Sequence, residues 1–374
     1  MDTILISFRN IFILFLTVFL LMACAEKKEP VKIGLSINLS GRGGAAGDYI
    51  RDGAMIAVEE INDKGGVKGH PISLIIKDDK NTKEGVLSAD KELIDEGVPV
   101  IIGHAYSQST VMAYDYVTSR NTLLFTPYTA TSDLSGKDDY FIRSSVDTNL
   151  YGRALSILLE KRKISTVSCL LDMSNKSFVT EYVDATKKYT NVKCNTSEIN
   201  SKGGVDWEIS IDKLLRPDPD AIILLTEVTM TGIASQKLRL KGFKGHLIAT
   251  LWAQTPDLIR YGGEAVEGLS IVTFINNKYE NIIYESFYEK MMKSFKHAPT
   301  ARSVRSYEAI YLIATAMRSC SNFTSEEIKK NLLSLSDFNN IMGPVKFDAF
   351  GDVVRPIYEI VIRNGKFFNA GHLL

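Results

Sequence analysis

Two runs rich in β-branched and apolar residues, 98–102 and 122–125, flank a segment in which Val111, Tyr114 and Val117 recur at helical spacing. This is a strand, helix, strand unit. At the carboxyl end of each strand the pattern turns polar and small, first at Ser107, Gln108, Ser109 and Thr110, then at Thr126, Thr129, Ala130 and Thr131. In an open α/β sheet both ends face one crevice, where ligands bind. The first cluster also sits where the helix begins, so backbone N–H groups and a hydroxyl can be offered together to an anion such as a carboxylate. The same residues can equally serve as helix caps and loop formers.

The rest of the chain repeats the unit. Residues 32–38 read as a strand, followed by a helical face at Ile50, Ala54, Ala57, Val58 and Ile61 that ends at Gly65 and Gly66. Pro71 precedes a strand at 72–76. After 141–145 a second β/α series begins, with strands expected at 166–171, 192–199, 221–226, 247–251 and 269–274. Helices at 284–295 and 306–317 follow, and a final pair of strands, 345–347 and 357–362, brackets Gly351. With 374 residues the chain is too long for one small core, and its 45% hydrophobic and 24% charged composition is that of an ordinary globular protein. Lys plus Arg and Asp plus Glu both count 44, so there is no net pull toward nucleic acid.

The loop at 41–47, GRGGAAG, contains a match to the dinucleotide fingerprint at Gly41, Gly43 and Ala46. The acid that should hold a ribose lies about twenty residues on in that fold, whereas Asp78 and Asp79 come more than thirty past Ala46, so the loop is rejected as a nucleotide site. It remains a place where a ligand can approach backbone closely. No hydrolase elbow, zinc-protease motif or Walker loop is present, and no cofactor, metal or catalytic group is expected. His104 follows a buried strand with no acid beside it in sequence and reads as structural. Cys169 and Cys194 fall in consecutive strands of the second series, either as a disulfide or as buried free thiols.

At the amino terminus, residues 11–21 are apolar except for Thr17, follow Arg9 and lead into LMAC, ending at Cys24. The run is short for a bilayer span and reads as a signal-peptide core, with an uncleaved membrane anchor as the alternative. The LMAC word resembles the lipobox of bacterial lipoproteins, which implies a signal peptide at 1–23, lipid on Cys24 and a polar tether at 24–30. Either reading places the body outside the cytoplasm, in the periplasm or at the cell surface.

The words INLSGRGGAAGDYIRDGAMIAVEEINDKGGVKGHPISLIIKDD, IIGHAYSQST, TPYTATSDL and IMGPVKFDAFGDVVRPIYEIVIRNGKF resemble the type I periplasmic binding proteins of the branched-chain amino acid ABC transporter family. The resemblance covers nearly all of the chain after Pro30. It implies an α/β fold of two doubly wound parallel-sheet lobes joined by three crossings: 31–145 with 275–351 as the first lobe, 146–274 with 352–374 as the second, and a ligand cleft between them. Carried over residue by residue, Ser107 and the segment Thr129, Ala130 and Thr131 receive a carboxylate, and Phe178 closes over the ligand from the second lobe. The family's next pocket aromatic falls on Glu227, its amine-binding acid falls on Leu251 directly before Trp252, and Ala46 replaces another aromatic. Glu227 is thus either a substitute partner for an ammonium or a solvated loop acid. Tyr106 and Trp252 are candidates for the pocket wall. The expected function is capture of a small carboxylate, an apolar or aromatic amino acid, for delivery to an ABC permease by a lipid-anchored monomer. A ligand-sensing receptor of the same fold, or a binder of an amide or aromatic carboxylate, are the alternatives. A chain ending at His372, Leu373 and Leu374 favours transport over sensing.

Overall fold

The structure is a computed structural model that describes residues 28–40, 44–276, 282–336 and 338–374. Cys24, Gly41 and Gly43 lie outside the described residues. The chain opens with β1 (Val31–Ile37), α1 (Gly44–Asp63), β2 (Ile72–Asp78), α2 (Lys83–Asp95), β3 (Val100–Gly103), α3 (Ser107–Thr118), β4 (Leu123–Thr126) and β5 (Phe141–Arg143). Their five strands form one parallel sheet in the order β2-β1-β3-β4-β5. Strands that are buried on both faces, such as Val100–Gly103 and Leu123–Thr126, are the continuous apolar runs that a helix-covered parallel sheet demands.

The second body contains α4 (Thr148–Lys161), β6 (Thr166–Asp172), α5 (Lys176–Tyr189), β7 (Lys193–Ile199), α6 (Trp207–Leu215), β8 (Ala221–Leu225), α7 (Val228–Leu240), β9 (His246–Thr250), α8 (Pro256–Gly262) and β10 (Ser270–Thr273). The chain then returns to the first body as α9 (Ile282–Phe295), α10 (Ala301–Arg318), α11 (Ser325–Leu333) and the hairpin β11 (Phe338–Asn340) and β12 (Gly343–Val345). It ends as β13 (Tyr358–Arg363) and β14 (Lys366–His372), which join the second sheet in the order β14-β13-β10-β9-β8-β6-β7. That sheet is not wholly parallel as the β/α series suggests, because β13 pairs antiparallel with both β10 and β14. A two-residue turn at Asn364 and Gly365, both at positive φ, folds β14 straight back and makes a parallel return impossible.

Both sheets reverse strand order at one point, between β1 and β3 in the first and between β6 and β8 in the second. The carboxyl ends of these strands lie at the junction of the two bodies, the place a doubly wound sheet reserves for ligands. Side chains also tie the three crossings to one another. The Arg143 guanidinium, fully buried at the end of β5, meets Asp352 at 2.7 Å, joining the first crossing to the third. Phe274, at the second, lies under Arg305 at 5.8 Å and Arg355 at 5.7 Å, and Arg355 pairs with the buried Glu308. Gly53 lets α1 and α10 touch, since a Cβ there would stand 2.2 Å from the Ser303 carbonyl oxygen. This close approach presses the first turn of α10 toward the junction.

Candidate functional site

At that junction a cavity is lined by Tyr106 and Ser107 at the start of α3, Tyr128 and Ala130 after β4, and Ser145 and Tyr151 at the first crossing and α4. Ala105, Asn175 just before α5, Phe178 of α5, Leu251 and Trp252 after β9, and Arg302 and Arg305 of α10 complete the lining. The volume a water molecule's centre can occupy is about 40 Å³. At roughly 10–15 Å³ each, that is room for about three waters. The aromatic wall is continuous across the cleft: Tyr106 and Phe178 each meet Trp252 edge-on at 6.0 Å, and Tyr182 packs on Phe178 at 5.5 Å and on Tyr151 at 5.8 Å. Gly152 permits this, since a Cβ there would strike the backbone of Ala185 and Thr186 on α5 within 2.7 Å.

Of the residues that sequence singled out, Tyr106, Ser107, Ala130, Phe178 and Trp252 come together here. The Ser107 hydroxyl accepts a hydrogen bond from the Ala130 N–H at 3.1 Å, joining the two polar strand ends. Thr129 and Thr131 stay outside the lining. The Thr129 hydroxyl bonds Thr110 and Thr126, and that of Thr131 bonds Glu181 from the other lobe, so neither hydroxyl points at the cavity. Glu227 is also outside it. Its carboxylate caps α7, accepting from the N–H groups of Thr229 and Met230 at 2.9 Å each, so its two oxygens are already committed to a helix terminus. The family's acid position, Leu251, is apolar and does face the cavity.

Arg302 and Arg305 are the residues that sequence reading missed. They sit one turn apart on α10, whose amino end is fixed by a Thr300 and Ser303 capping box, and both are 5% exposed. The helix was expected to start at 306, which placed both arginines in a loop. A usable signal was present: a cation in the first turn with a second in the next opposes the helix dipole, an arrangement that calls for a nearby anion. Arg305 is held by the carbonyl oxygens of Ala301 at 3.1 Å and Pro127 at 3.0 Å and lies over the Tyr128 ring. Among the described residues, Arg302 has no carboxylate within ion-pair distance, and its guanidinium lies 5.8 Å from the Tyr106 ring centre. Among the described residues, no acidic side chain lines the cavity.

Two further polar groups of the lining are unpartnered donors. The Trp252 indole N–H and the Tyr151 hydroxyl are buried with no hydrogen-bond partner among the described residues. Burial pushes the Tyr151 phenol up, with the Arg305 charge opposing. Tyr128 is pushed up to about 12 by burial, again against the two arginines. Burial raises Tyr106 as well, where the Arg302 charge pulls down and the Glu227 charge pushes up. All three phenols therefore remain protonated donors at neutral pH. Beside the cavity, His104 is fully buried between Asp79 at 2.7 Å and Asp90 at 3.1 Å. Burial alone would lower its pKa, yet the two carboxylates outweigh it and hold the imidazolium up to about 10. The acids come from 25 and 14 residues earlier in the chain, which is why no partner was visible beside it.

The two lobes are bonded across the cleft. Gln108 N donates to Asn175 Oδ1 at 3.0 Å, and the Ser177 N–H and hydroxyl donate to Gln108 Oε1 at 3.3 and 3.1 Å. Ser132 N donates to Glu181 at 2.6 Å, Tyr49 Oη to Asp257 at 3.4 Å, and Lys202 Nζ to the Asn81 carbonyl oxygen.

A family model of periplasmic binding proteins matches residues 30–366. The Leu/Ile/Val-binding protein homolog 1 of Brucella suis is 25% identical over 340 residues, covering 88% of this chain and 89% of that protein. The Leu/Ile/Val-binding protein of Escherichia coli is 24% identical over 330 residues, covering 87% and 88%. Among solved structures, a leucine binding protein from Thermotoga maritima superimposes with a TM-score of 0.83 at 23% identity, covering 91% of this chain and 98% of that one. An ABC transporter solute binding protein from R. palustris in complex with benzoate reaches 0.81 at 18% identity, covering 92% and 96%. With the family model spanning nearly the whole described chain and the two-sheet architecture matching these structures, the chain belongs to the periplasmic binding protein family and has the type I fold.

Proposed function

We propose that this protein is an extracytoplasmic solute-binding protein that captures an organic carboxylate with an apolar or aromatic body and no ammonium group. It passes that ligand to an ABC permease without chemistry of its own. The observation that carries the reading is a cavity lined by Arg302 and Arg305 and, among the described residues, by no acid. An ammonium placed there would meet like charges, a juxtaposition that costs several kcal/mol, roughly. A carboxylate would instead take charge-assisted hydrogen bonds from Arg302, with the Ser107 hydroxyl, the Tyr151 hydroxyl and the Trp252 N–H as further donors. The rings of Tyr106, Phe178 and Trp252 suit a planar or branched apolar body. Relatives of this fold include one whose structure holds benzoate and another holding 3,4-dihydroxy benzoic acid.

The second reading is an apolar or aromatic amino acid, favoured by the similarity to Leu/Ile/Val-binding proteins and by the reach of the Glu227 charge to Tyr106. In both readings the crossings near Ser145, Phe274 and Gly351 act as a hinge, and lipid on Cys24 tethers the protein to its membrane. A thermal-shift screen decides between ligands: leucine against isocaproate, phenylalanine against phenylpropionate, and benzoate against benzamide. The carboxylates without an amine should raise the melting temperature and their amino acid or amide counterparts should not. Stabilisation by the amino acids alone would overturn the carboxylate reading in favour of the second.

A further inference from the structure

We infer that Cys169 and Cys194 form a redox site, oxidised to an intramolecular disulfide that fastens the edge strand of the second lobe beneath the helix carrying Phe178. Cys169 lies in β6, and Cys194 in β7, the last strand of its sheet. In the parallel register Val167 faces Cys194 and Cys169 faces Thr196, so the two cysteines are same-face diagonal neighbours. Their sulfurs stand 2.8 Å apart, nearer than two thiols need to be to react without moving the strands. Both face a crevice walled by Leu155, Leu159, Tyr182, Val183 and Ile223, under α4 and α5. A disulfide has no proton to satisfy and suits that apolar wall better than a pair of thiols sharing one hydrogen bond.

The two positions differ in a way that orders the reaction. Cys169 is 2% exposed, whereas Cys194 is only partly buried on an open sheet edge. The hydrogen bond shared with Cys169 and the Lys187 ammonium hold the Cys194 thiol below its usual range. That same hydrogen bond, together with burial, keeps Cys169 protonated. The Cys194 thiolate is therefore the attacking group. It attacks a disulfide R–S–S–R of an extracytoplasmic thiol oxidant, forming Cys194–S–S–R and releasing RS⁻. Cys169 then loses its proton and attacks the Cys194 sulfur, forming Cys169–S–S–Cys194 and releasing the second RS⁻. Two thiols are oxidised and one disulfide is reduced, so the electrons balance. The inference rests on the extracytoplasmic location proposed above for its oxidant alone.

The full-length protein, reduced and then exposed to oxidised glutathione, tests the chemistry wherever the protein resides. After denaturing alkylation, peptide mapping should find Cys169 linked to Cys194 and Cys320 alkylated. The Cys169→Ser protein should trap glutathione on Cys194, while Cys194→Ser should trap none on Cys169. Reduction should lower the melting temperature of the wild type by several degrees and leave a Cys169→Ala, Cys194→Ala double variant unmoved. Alkylation of both Cys169 and Cys194 after oxidation, or equal glutathione capture by the two single variants, would overturn the inference. None of these readouts involves ligand, so a failed ligand screen leaves them standing and their failure leaves the ligand reading untouched.

Discussion

Arg302→Gln removes the charge and leaves a shorter, neutral side chain that can still donate a hydrogen bond. A guanidinium and a carboxylate about 4 Å apart interact by roughly 4 kcal/mol at an effective dielectric of about 20. Truncating one partner of a buried charged pair costs about 2–5 kcal/mol. A central loss of about 3 kcal/mol corresponds to roughly 150-fold weaker binding. Calorimetric titration with a bound carboxylate and its neutral amide should show that loss for the acid and less than about threefold change for the amide. The ligand-free variant should melt no lower than wild type, because Arg302 is 5% exposed and has no carboxylate partner among the described residues to leave stranded. Equal losses for acid and amide would mean that Arg302 shapes the cavity rather than reads charge. A large fall in melting temperature without ligand would make it a structural cation, and either result would refute the reasoning.

His104 gains its ion partners on folding, and its folded pKa of about 10 lies above the unfolded value of 6.5. Its stabilisation is therefore fully present below pH 6.5 and lost as pH rises through 10, of order 5 kcal/mol in all. Melting curves should fall across that window, and His104→Gln should start lower by about 3–5 kcal/mol and lose the slope. Trp252→Phe keeps an aromatic side chain, smaller than the indole, and removes the unpartnered N–H. Titration should show carboxylate binding weakened by about 1–2 kcal/mol, and an unchanged affinity would deny the N–H a ligand contact. Cys24→Ser should appear in the soluble fraction of cells, and its retention in membranes would argue for an uncleaved anchor.

Much of this was legible because the chemistry lies at strand ends. Ser107 and Trp252 each follow an apolar run whose length and β-branched content mark a parallel strand, so their place at one crevice followed from topology, whereas Phe178, inside α5, came from the family resemblance. Arg302 and Arg305 were not legible, because α10 returns to the first lobe after a whole second sheet has been built. Its polar residues Arg302, Arg305, Tyr307 and Glu308 are all buried, which hides the amphipathic rhythm by which a helix start is read. Glu227 misled for a related reason: an acid after a strand can serve a ligand or the helix it precedes, and only its hydrogen bonds distinguish the two. The last strand, KFFNAGH, carries Asn and Gly where a strand is expected to carry β-branched residues, and it is held by pairing with β13 rather than by propensity.

The cross-cleft hydrogen bonds and a cavity with room for only about three waters have a kinetic consequence. The Tyr106, Phe178 and Trp252 rings span the cleft, and the ligand is freed most readily when Gln108, Glu181 and Lys202 release their partners on the opposite lobe. Dissociation of each ligand is then limited by the rate at which its own closed complex opens, so ligands that hold the lobes together more tightly should leave more slowly. A membrane partner that gripped both lobes and drew them apart would speed the release of every ligand by the same factor, without needing to recognise any of them.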